Sequence, residues 1–193
     1  ICEMIRLDSF MPQFLPNAKN ISRFTTHNKT EGFMKNNFVQ QSFNVPESLE
    51  TEKYRLEILT PAVAKLDYDA VMSSKIRLRS VFSKSTEWPR DNMSLEDNIK
   101  DLQRHEEEFK LHKAFAYTVL TPTREKCLGC VYIEPCNVTE FDCEVYFWVR
   151  DENIYLDNDL YNCISDWLVK CWPFKTIAFP GREISWQKWK SYM

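Results

Sequence analysis

Alternation of hydrophobic and polar positions predicts the strands of this chain. The predicted strands lie at residues 54–59, 114–120, 127–134, 141–150 and 175–179. Short turns rich in Thr, Pro, Asn and Glu separate the second, third and fourth of them, which is typical of an antiparallel meander. Pro180 and Gly181 end the last strand.

Apolar positions at helical spacing predict three main helices, at residues 62–72, 95–112 and 159–170. Thr60 before Pro61 is a helix start signal, and Ser94 with Asp97 is a capping arrangement for the second helix. A further helical turn is predicted at residues 76–82, and a short helix capped by Ser185 near the end. In residues 1–45 the pattern is weaker and indicates one short strand, Glu3 to Leu7, and one short helix, Glu31 to Val39.

The order of these elements indicates an α+β fold, an α/β sandwich built on one mixed, mostly antiparallel sheet flanked by helices. The connection from the strand at 141–150 through a helix to the strand at 175–179 should place these two strands side by side and parallel. We expect residues 1–45 to be an N-terminal extension and residues 46–193 to be the domain.

Composition excludes several classes of function. The net charge of −3 offers no basic surface for nucleic acid. No apolar run approaches the ~18 residues that a membrane span needs. The seven cysteines are an odd number in a chain of 193 residues, which favours reduced thiols and a cytoplasmic location.

Cys127 and Cys130 form a C-x-x-C motif, with Cys136 and Cys143 further along. Because strand positions three apart point to opposite faces, we interpret these cysteines as structural thiols and expect no metal site. His105 lies in a run of charged residues and is expected to be solvated.

Three segments resemble the GNAT superfamily of acyl-CoA-dependent N-acyltransferases. They are residues 50–61, the run Cys-Leu-Gly-Cys-Val-Tyr-Ile at 127–133, and the run Val-Tyr-Phe-Trp-Val at 145–149. The resemblance extends over residues 45–181 and implies the GNAT-like fold with a shortened C-terminus. It also implies acetyl-CoA as co-substrate and an amine acceptor, either a small molecule or a peptide.

The resemblance suggests roles for single residues. Glu144 is the candidate general base, with Tyr146 on the same strand face, and Tyr161 is a candidate acid for the departing thiolate. Tyr132 and Glu134, on the neighbouring strand, are further candidates. The backbone of Phe147, Trp148 and Val149 and the helix start at Asn158 are the positions implied for the cofactor, although Phe147 and Val149 also suit plain strand core.

One family motif is missing. The loop that cradles pyrophosphate in the family contains glycines, whereas residues 150–159 contain none. We expect Asp157, Asn158 and Asp159 to cap the helix and to use the amides that a phosphate needs. The charged pair Arg182 and Glu183 lies where open sheets bind ligands.

Two functions therefore stay open from the sequence. One is acetyl transfer from acetyl-CoA to an amine by direct attack. The other is a catalytically inactive binding or interaction protein that has lost ordinary coenzyme A binding. Trp186 and Trp189 exceed what one core is expected to bury, which suggests a homodimer contact.

Overall fold

The sheet contains six strands in the order β1-β2-β3-β4-β5-β6. The computed structural model describes residues 38–83 and 86–193. Neighbours from β1 to β5 pair antiparallel, and β5 pairs with β6 in parallel. The strands are β1 Ser48–Glu50, β2 Arg55–Ile58, β3 Phe115–Leu120, β4 Cys127–Pro135, β5 Cys143–Val149 and β6 Ile177–Ala178. The predicted mixed sheet, its meander and its parallel crossover are confirmed.

Five α-helices and two 3₁₀ helices accompany the sheet in the described residues. The α-helices are α1 Ala64–Ser73, α2 Lys75–Leu78, α3 Leu95–Lys110, α4 Asp157–Cys171 and α5 Trp186–Lys190, and the 3₁₀ helices are Pro61–Val63 and Asp151–Leu156. The predicted start signals are confirmed, because Pro61 opens the first helical turn and Ser94 forms a capping box with Asp97. The side chain of Ser185 accepts a hydrogen bond from the Lys188 amide. No helix of the described residues is long and apolar enough to cross a membrane.

Two predictions for the N-terminal segment fall outside this range. The strand Glu3 to Leu7 and nearly all of the helix Glu31 to Val39 lie in residues that the structure does not describe. Phe38 and Val39 are described and form a bend instead of a helix. The domain boundary after residue 45 stays a prediction.

Each face of the sheet packs on its own hydrophobic cluster. Helix α4 covers one face, where Leu160 and Ile164 meet the Phe147 and Val149 side chains of β5. Helices α1, α2 and α3 cover the other face. Ala70, Leu78 and Leu102 of these helices belong to one cluster with Tyr132, Tyr146 and Trp148 of the sheet. Alternation along β5 therefore sends its odd-numbered side chains towards α4 and its even-numbered side chains towards α1–α3.

A bulge in β4 changes the face that its first residues present. Val119 of β3 pairs with Gly129, but Leu120 pairs with Cys127, so Leu128 is the extra residue. A Cβ at Gly129 would lie 1.9 Å from the carbonyl oxygen of Trp148. Only glycine allows β4 and β5 to approach this closely here.

Candidate functional site

A cleft opens where β5 and β6 separate. The two strands pair only at Cys143–Ile177 and Glu144–Ala178. Beyond Ala178 the pairing stops, because Pro180 has no N–H to donate and Gly181, at φ 79°, turns the chain away. The cleft has a volume of about 170 Å³. One wall of the cleft consists of Val145, Tyr146 and Phe147 of β5, and another of Pro180, Gly181 and Arg182, which follow β6. The remaining lining residues are Arg77 of α2, Ser80 and Val81 just after α2, and Asp157 at the start of α4.

Two arginines border this cleft. The Nε of Arg77 donates to Asp151 at 2.6 Å, and its guanidinium also donates to the carbonyl of Val149. Arg182 pairs with Asp157, and its guanidinium carbon lies 4.4 Å from the centre of the Phe147 ring. The cleft is therefore bordered by cationic groups that are each held by a carboxylate. The sequence pattern singled out Arg182 but not Arg77.

Several backbone amides of the loop before α4 already have hydrogen-bond acceptors, but not the acceptors that the sequence predicted. The 3₁₀ helix Asp151–Leu156 runs directly into α4, and the amide of Asp157 donates to the carbonyl of Ile154. At the other end of this turn, the amide of Asp151 donates to Ser74 Oγ at 3.0 Å. The expected capping by Asp157, Asn158 and Asp159 is wrong, since α4 has no side-chain cap.

The side chains of Asp157 and Asp159 form hydrogen bonds and ion pairs with residues outside α4. Asp157 binds Arg182, and Asp159 accepts from Tyr54 at 2.8 Å and pairs with Lys53. Asn158 is exposed on the first turn of α4. Asp157 and Asp159 bind arginine, lysine and tyrosine side chains and do not cap α4. The amide of Asp157 already donates to the carbonyl of Ile154 in the preceding 3₁₀ turn.

The candidate acid and base lie on opposite faces of the sheet. Glu144 and Tyr146 share the α1–α3 face. Tyr161 lies on the α4 side, where its ring is 6.3 Å from that of Phe147 and its hydroxyl donates to Glu183. That hydrogen bond raises the pKa of Tyr161 above its ordinary value. Trp148 is fully buried and serves the core.

A second cavity, of about 280 Å³, lies on the α1–α3 face. Its walls are aromatic and charged, with Phe82, Trp88, Asp101, Arg104, His105, Tyr132 and Glu134. The ring of Phe82 lies 5.2 Å from that of Tyr132 and 5.5 Å from that of Tyr146. Tyr146 also lines the first cleft, so the two cavities adjoin at the Phe82–Tyr146 contact. Nothing in the local pattern around Phe82 and Trp88 indicated this role, because the strand tyrosines that Phe82 contacts, Tyr132 and Tyr146, are at least 50 residues away.

His105 corrects one prediction. It was expected to be solvated, but it is only 7% exposed and packs 5.3 Å from the Tyr132 ring. His105 lies on the face of α3 that packs against the sheet. Its charged neighbours in sequence lie on other faces of the helix, so they do not predict the burial of His105. Burial lowers the pKa of His105, and the nearby Arg104 guanidinium lowers it further.

Two carboxylates stand side by side at the edge of this cavity. Glu134 of β4 pairs directly with Glu144 of β5. Burial raises the pKa of Glu134 to about 7, and the negative charges of Glu108 and Glu144 add to the shift. Burial also raises the pKa of Glu144, although hydrogen bonds from Tyr146 and Cys136 oppose this. Carboxyl groups with pKa values moved towards neutrality suit proton transfer at physiological pH.

The C-x-x-C motif differs from its expected geometry. Because of the bulge at Leu128, the thiols of Cys127 and Cys130 lie on one face with Asp67, and the three ligand atoms lie within 4.8 Å of one another. Cys130 donates to one carboxylate oxygen of Asp67 at 3.2 Å, and Asn98 donates to the other at 2.9 Å. Burial raises the pKa values of Asp67 and Cys130. Asp67, Asn98 and Cys130 therefore form a buried hydrogen-bonded network beside Cys127, and the structural role of the thiols stays a prediction.

Comparison with known proteins places this fold among acetyltransferases of known structure. The ribosomal-protein-S5-alanine acetyltransferase from Vibrio fischeri is similar over 64% of this chain and 67% of its own, with a TM-score of 0.50 and 21% identity. A probable acetyltransferase is similar over 64% of this chain and 67% of its own, with a TM-score of 0.51 and 12% identity.

The microcin C7 self immunity acetyltransferase MccE, in complex with acetyl-CoA and AMP, has a TM-score of 0.47 at 15% identity over 63% of this chain and 67% of its own. No protein-family profile and no curated protein matches the sequence. The similarity covers about two thirds of each compared chain, and what it establishes is the fold.

Proposed function

Because the chain has the GNAT acyl-CoA N-acyltransferase-like fold, we propose that it transfers an acetyl group from acetyl-CoA to an amine. The observation that supports this most directly is the cleft between β5 and β6, with Glu144 and Tyr146 beside it. The acceptor is an amine carried by a small molecule or a peptide.

The site proposed for acetyl-CoA lacks the glycine-containing loop that binds pyrophosphate in the family. The amides of Asp151, Asn153 and Asp157 already have acceptors, and the cationic groups that line the cleft are the guanidinium groups of Arg77 and Arg182. Guanidinium groups bind phosphate oxygens through charge-assisted, often bidentate, hydrogen bonds. In this proposal Asp151 and Asp157 hold the two arginines in place until phosphate replaces them. Acetyl-CoA supplies the acetyl group on a thiolate that leaves readily.

Glu144 is the proposed base. The lone pair of the amine forms the C–N bond while the C–S bond breaks, and the amine proton has to leave. Glu144 accepts it, because its raised pKa brings the carboxylate closer to the basicity that the transfer needs. Either Tyr161 or Tyr146 returns a proton to the thiolate. Tyr146 lines the cleft itself, and Tyr161 lies behind Phe147.

Titration with acetyl-CoA, followed by calorimetry and by the melting temperature, tests the donor site. Binding should stabilise the protein by about 2.7 kcal/mol at a hundred times Kd. Arg182→Ala should weaken binding at least about tenfold, as expected for one lost charge-assisted contact. Arg124→Ala is the matched control, because Arg124 forms an exposed pair with Glu57 away from the cleft. No response at millimolar acetyl-CoA would end the proposal.

The rate of acetyl transfer by the Glu144→Gln variant tests whether Glu144 is the general base. We expect acetyl-CoA affinity to be retained and the rate to fall by about 10²–10⁴-fold, the usual contribution of a general base. The rate should recover in part as pH rises, since more of the amine is then unprotonated. An unchanged rate would remove Glu144 from the mechanism.

A binding protein without transfer activity is the second candidate. The observation that favours it is the internal pairing of the groups around the cleft: the Val149 carbonyl with Arg77, the Asp151 amide with Ser74, and Arg182 with Asp157. The same acetyl-CoA titration separates the two functions.

A further inference from the structure

The second cavity combines features that favour a positively charged group. Phe82, Trp88 and Tyr132 present aromatic rings, with Phe82 5.5 Å from Trp88 and 5.2 Å from Tyr132. Aromatic faces attract cations within about 6 Å of the ring centre. The cavity of about 280 Å³ has room for the end of an aliphatic chain and not for a folded domain.

The charges around the cavity are mostly negative. Glu134 and Asp101 line it, Glu108 and Glu144 lie close enough to raise the pKa of Glu134, and Arg104 is the cation among the lining residues. Arg104 is engaged by Asp101 at 2.7 Å and by Glu108 at 2.8 Å. His105 adds little charge, because its pKa is lowered. Within residues 38–83 and 86–193, Glu134 and Glu144 therefore form no ion pair, although the charge of Arg104 acts on Glu134 from a distance.

Glu134 is the carboxylate of this cavity that is best placed to accept a hydrogen bond from a ligand. Among the described residues it forms no hydrogen bond and no ion pair, although it is half-buried and lines the second cavity. Glu144, in contrast, is approached by Tyr146 and Cys136. A half-buried carboxylate without a donor loses hydration and gains nothing in return unless a ligand supplies the donor.

We propose that this cavity binds the acceptor as a primary ammonium group, with the cation against Phe82, Trp88 and Tyr132 and its N–H bonds directed to Glu134. This assignment rests on the proposed acetyl transfer. Because Tyr146 packs against Phe82 and also lines the cleft between β5 and β6, an amine held here lies next to the site proposed for the thioester.

Glu134 also has a place in the proton balance. The ammonium must lose one proton before its nitrogen has a free lone pair, and the Glu134 carboxylate accepts that proton and passes it to water. The second proton leaves the nitrogen for Glu144 after the C–N bond forms. Tyr146, which is hydrogen-bonded to Glu144, gives its own proton to the thiolate as the C–S bond breaks and takes the proton from Glu144 in return. Two neighbouring carboxylates thus serve two successive proton transfers.

Binding of n-butylammonium, measured by calorimetry and by tryptophan fluorescence at pH 8 without acetyl-CoA, tests the proposal directly. We expect saturable binding to the full-length protein, at least about tenfold weaker binding of the neutral n-butanol, and a similar loss in Glu134→Gln. Affinity should rise as pH increases through about 7, where Glu134 ionises. Phe82→Leu should weaken the ammonium selectively.

Glu125→Gln is the matched control, since Glu125 is an exposed carboxylate at the β3–β4 turn. A peptide with a free N-terminus, compared with its N-acetylated form and with a lysine-bearing version of the acetylated peptide, distinguishes an α-ammonium from a side-chain ammonium. Equal affinities for n-butylammonium and n-butanol, or equal losses in Glu134→Gln and Glu125→Gln, would overturn the inference. Ammonium binding without any acetyl-CoA binding would instead sustain this site and remove the proposed transfer.

Discussion

At the scale of single residues, Glu134 shows how neighbours set the chemistry of a side chain. Its own strand position is unremarkable, but it faces Glu144 across the sheet and the acidic side of α3. Lost hydration and like charges both favour the protonated carboxyl, and Arg104 opposes them only in part. The folded protein therefore holds a proton near neutral pH that the unfolded chain has lost.

The stability of Glu134→Gln should depend on pH in a defined direction. The folded pKa of about 7 lies above the ordinary value of 4.5, so ionisation disfavours the folded state as pH rises from 4.5 to 7. Relative to the parent protein, the variant should gain about 1–3 kcal/mol at pH 8 and little at pH 4. Urea unfolding at both pH values measures this. A gain that is the same at the two values would contradict the raised pKa.

At the scale of elements, the bulge in β4 determines where several side chains point. Gly129 allows the backbone of β5 to come close, and Leu128 takes up the extra position. As a result Cys127 and Cys130 share the face that carries Asp67, and the alternation that the sequence suggested is shifted by one residue. The β4–β5 register is continuous from Gly129 to Pro135 and places Glu134 opposite Glu144.

Gly129→Ala should destabilise the protein by about 1–3 kcal/mol, because the added methyl group would meet the Trp148 carbonyl oxygen at 1.9 Å. Equilibrium unfolding in urea measures the loss. Ser48→Ala on the exposed edge strand β1 is the control and should change stability by less than about 0.5 kcal/mol. Similar small effects for both substitutions would show that β4 can move away from β5.

At the scale of the whole molecule, segments from both ends of the described chain close over the sheet. Phe38 stacks between Phe115, at 5.6 Å, and Phe174, at 5.1 Å. Near the other end, Trp189 is 2% exposed and Trp186 stacks on Tyr146. Trp189 belongs to a small third cluster with Val138 and Ala178, and the partly buried Trp186 packs against it. The burial of Trp189 removes part of the expected exposed patch, and the homodimer stays a prediction.

Phe38→Ala should lower the free energy of unfolding by about 1–3 kcal/mol, less than for a fully buried phenylalanine because Phe38 is only partly buried. Tyr155→Ala is a suitable comparison, since that aromatic side chain is 73% exposed. Urea denaturation of the two variants measures the difference. If both lose the same amount, residues before β1 do not contribute to the core.

The sequence predicted the candidate site only in part. Alternation placed Glu144 and Tyr146 on one strand face, and Pro180 and Gly181 were predicted to end the last strand, which is where the structure has the cleft. Arg77, Phe82 and Trp88 were not predicted. Each is an ordinary residue in its own segment and becomes part of a cavity only through contacts with strands about 50 to 70 residues away.

By itself, the sequence determined the order of the elements, the single mixed sheet and its parallel pair, because hydrophobic period, capping residues and proline act over a few neighbouring positions. Tertiary structure decided which polar and charged side chains form hydrogen bonds and ion pairs with one another. Arg182 binds Asp157, His105 is buried against Tyr132, and Glu134 receives no hydrogen bond from the part of the chain that the structure describes. Burial and charge pairing depend on distances in space between segments that are remote along the chain, and no local pattern records those distances.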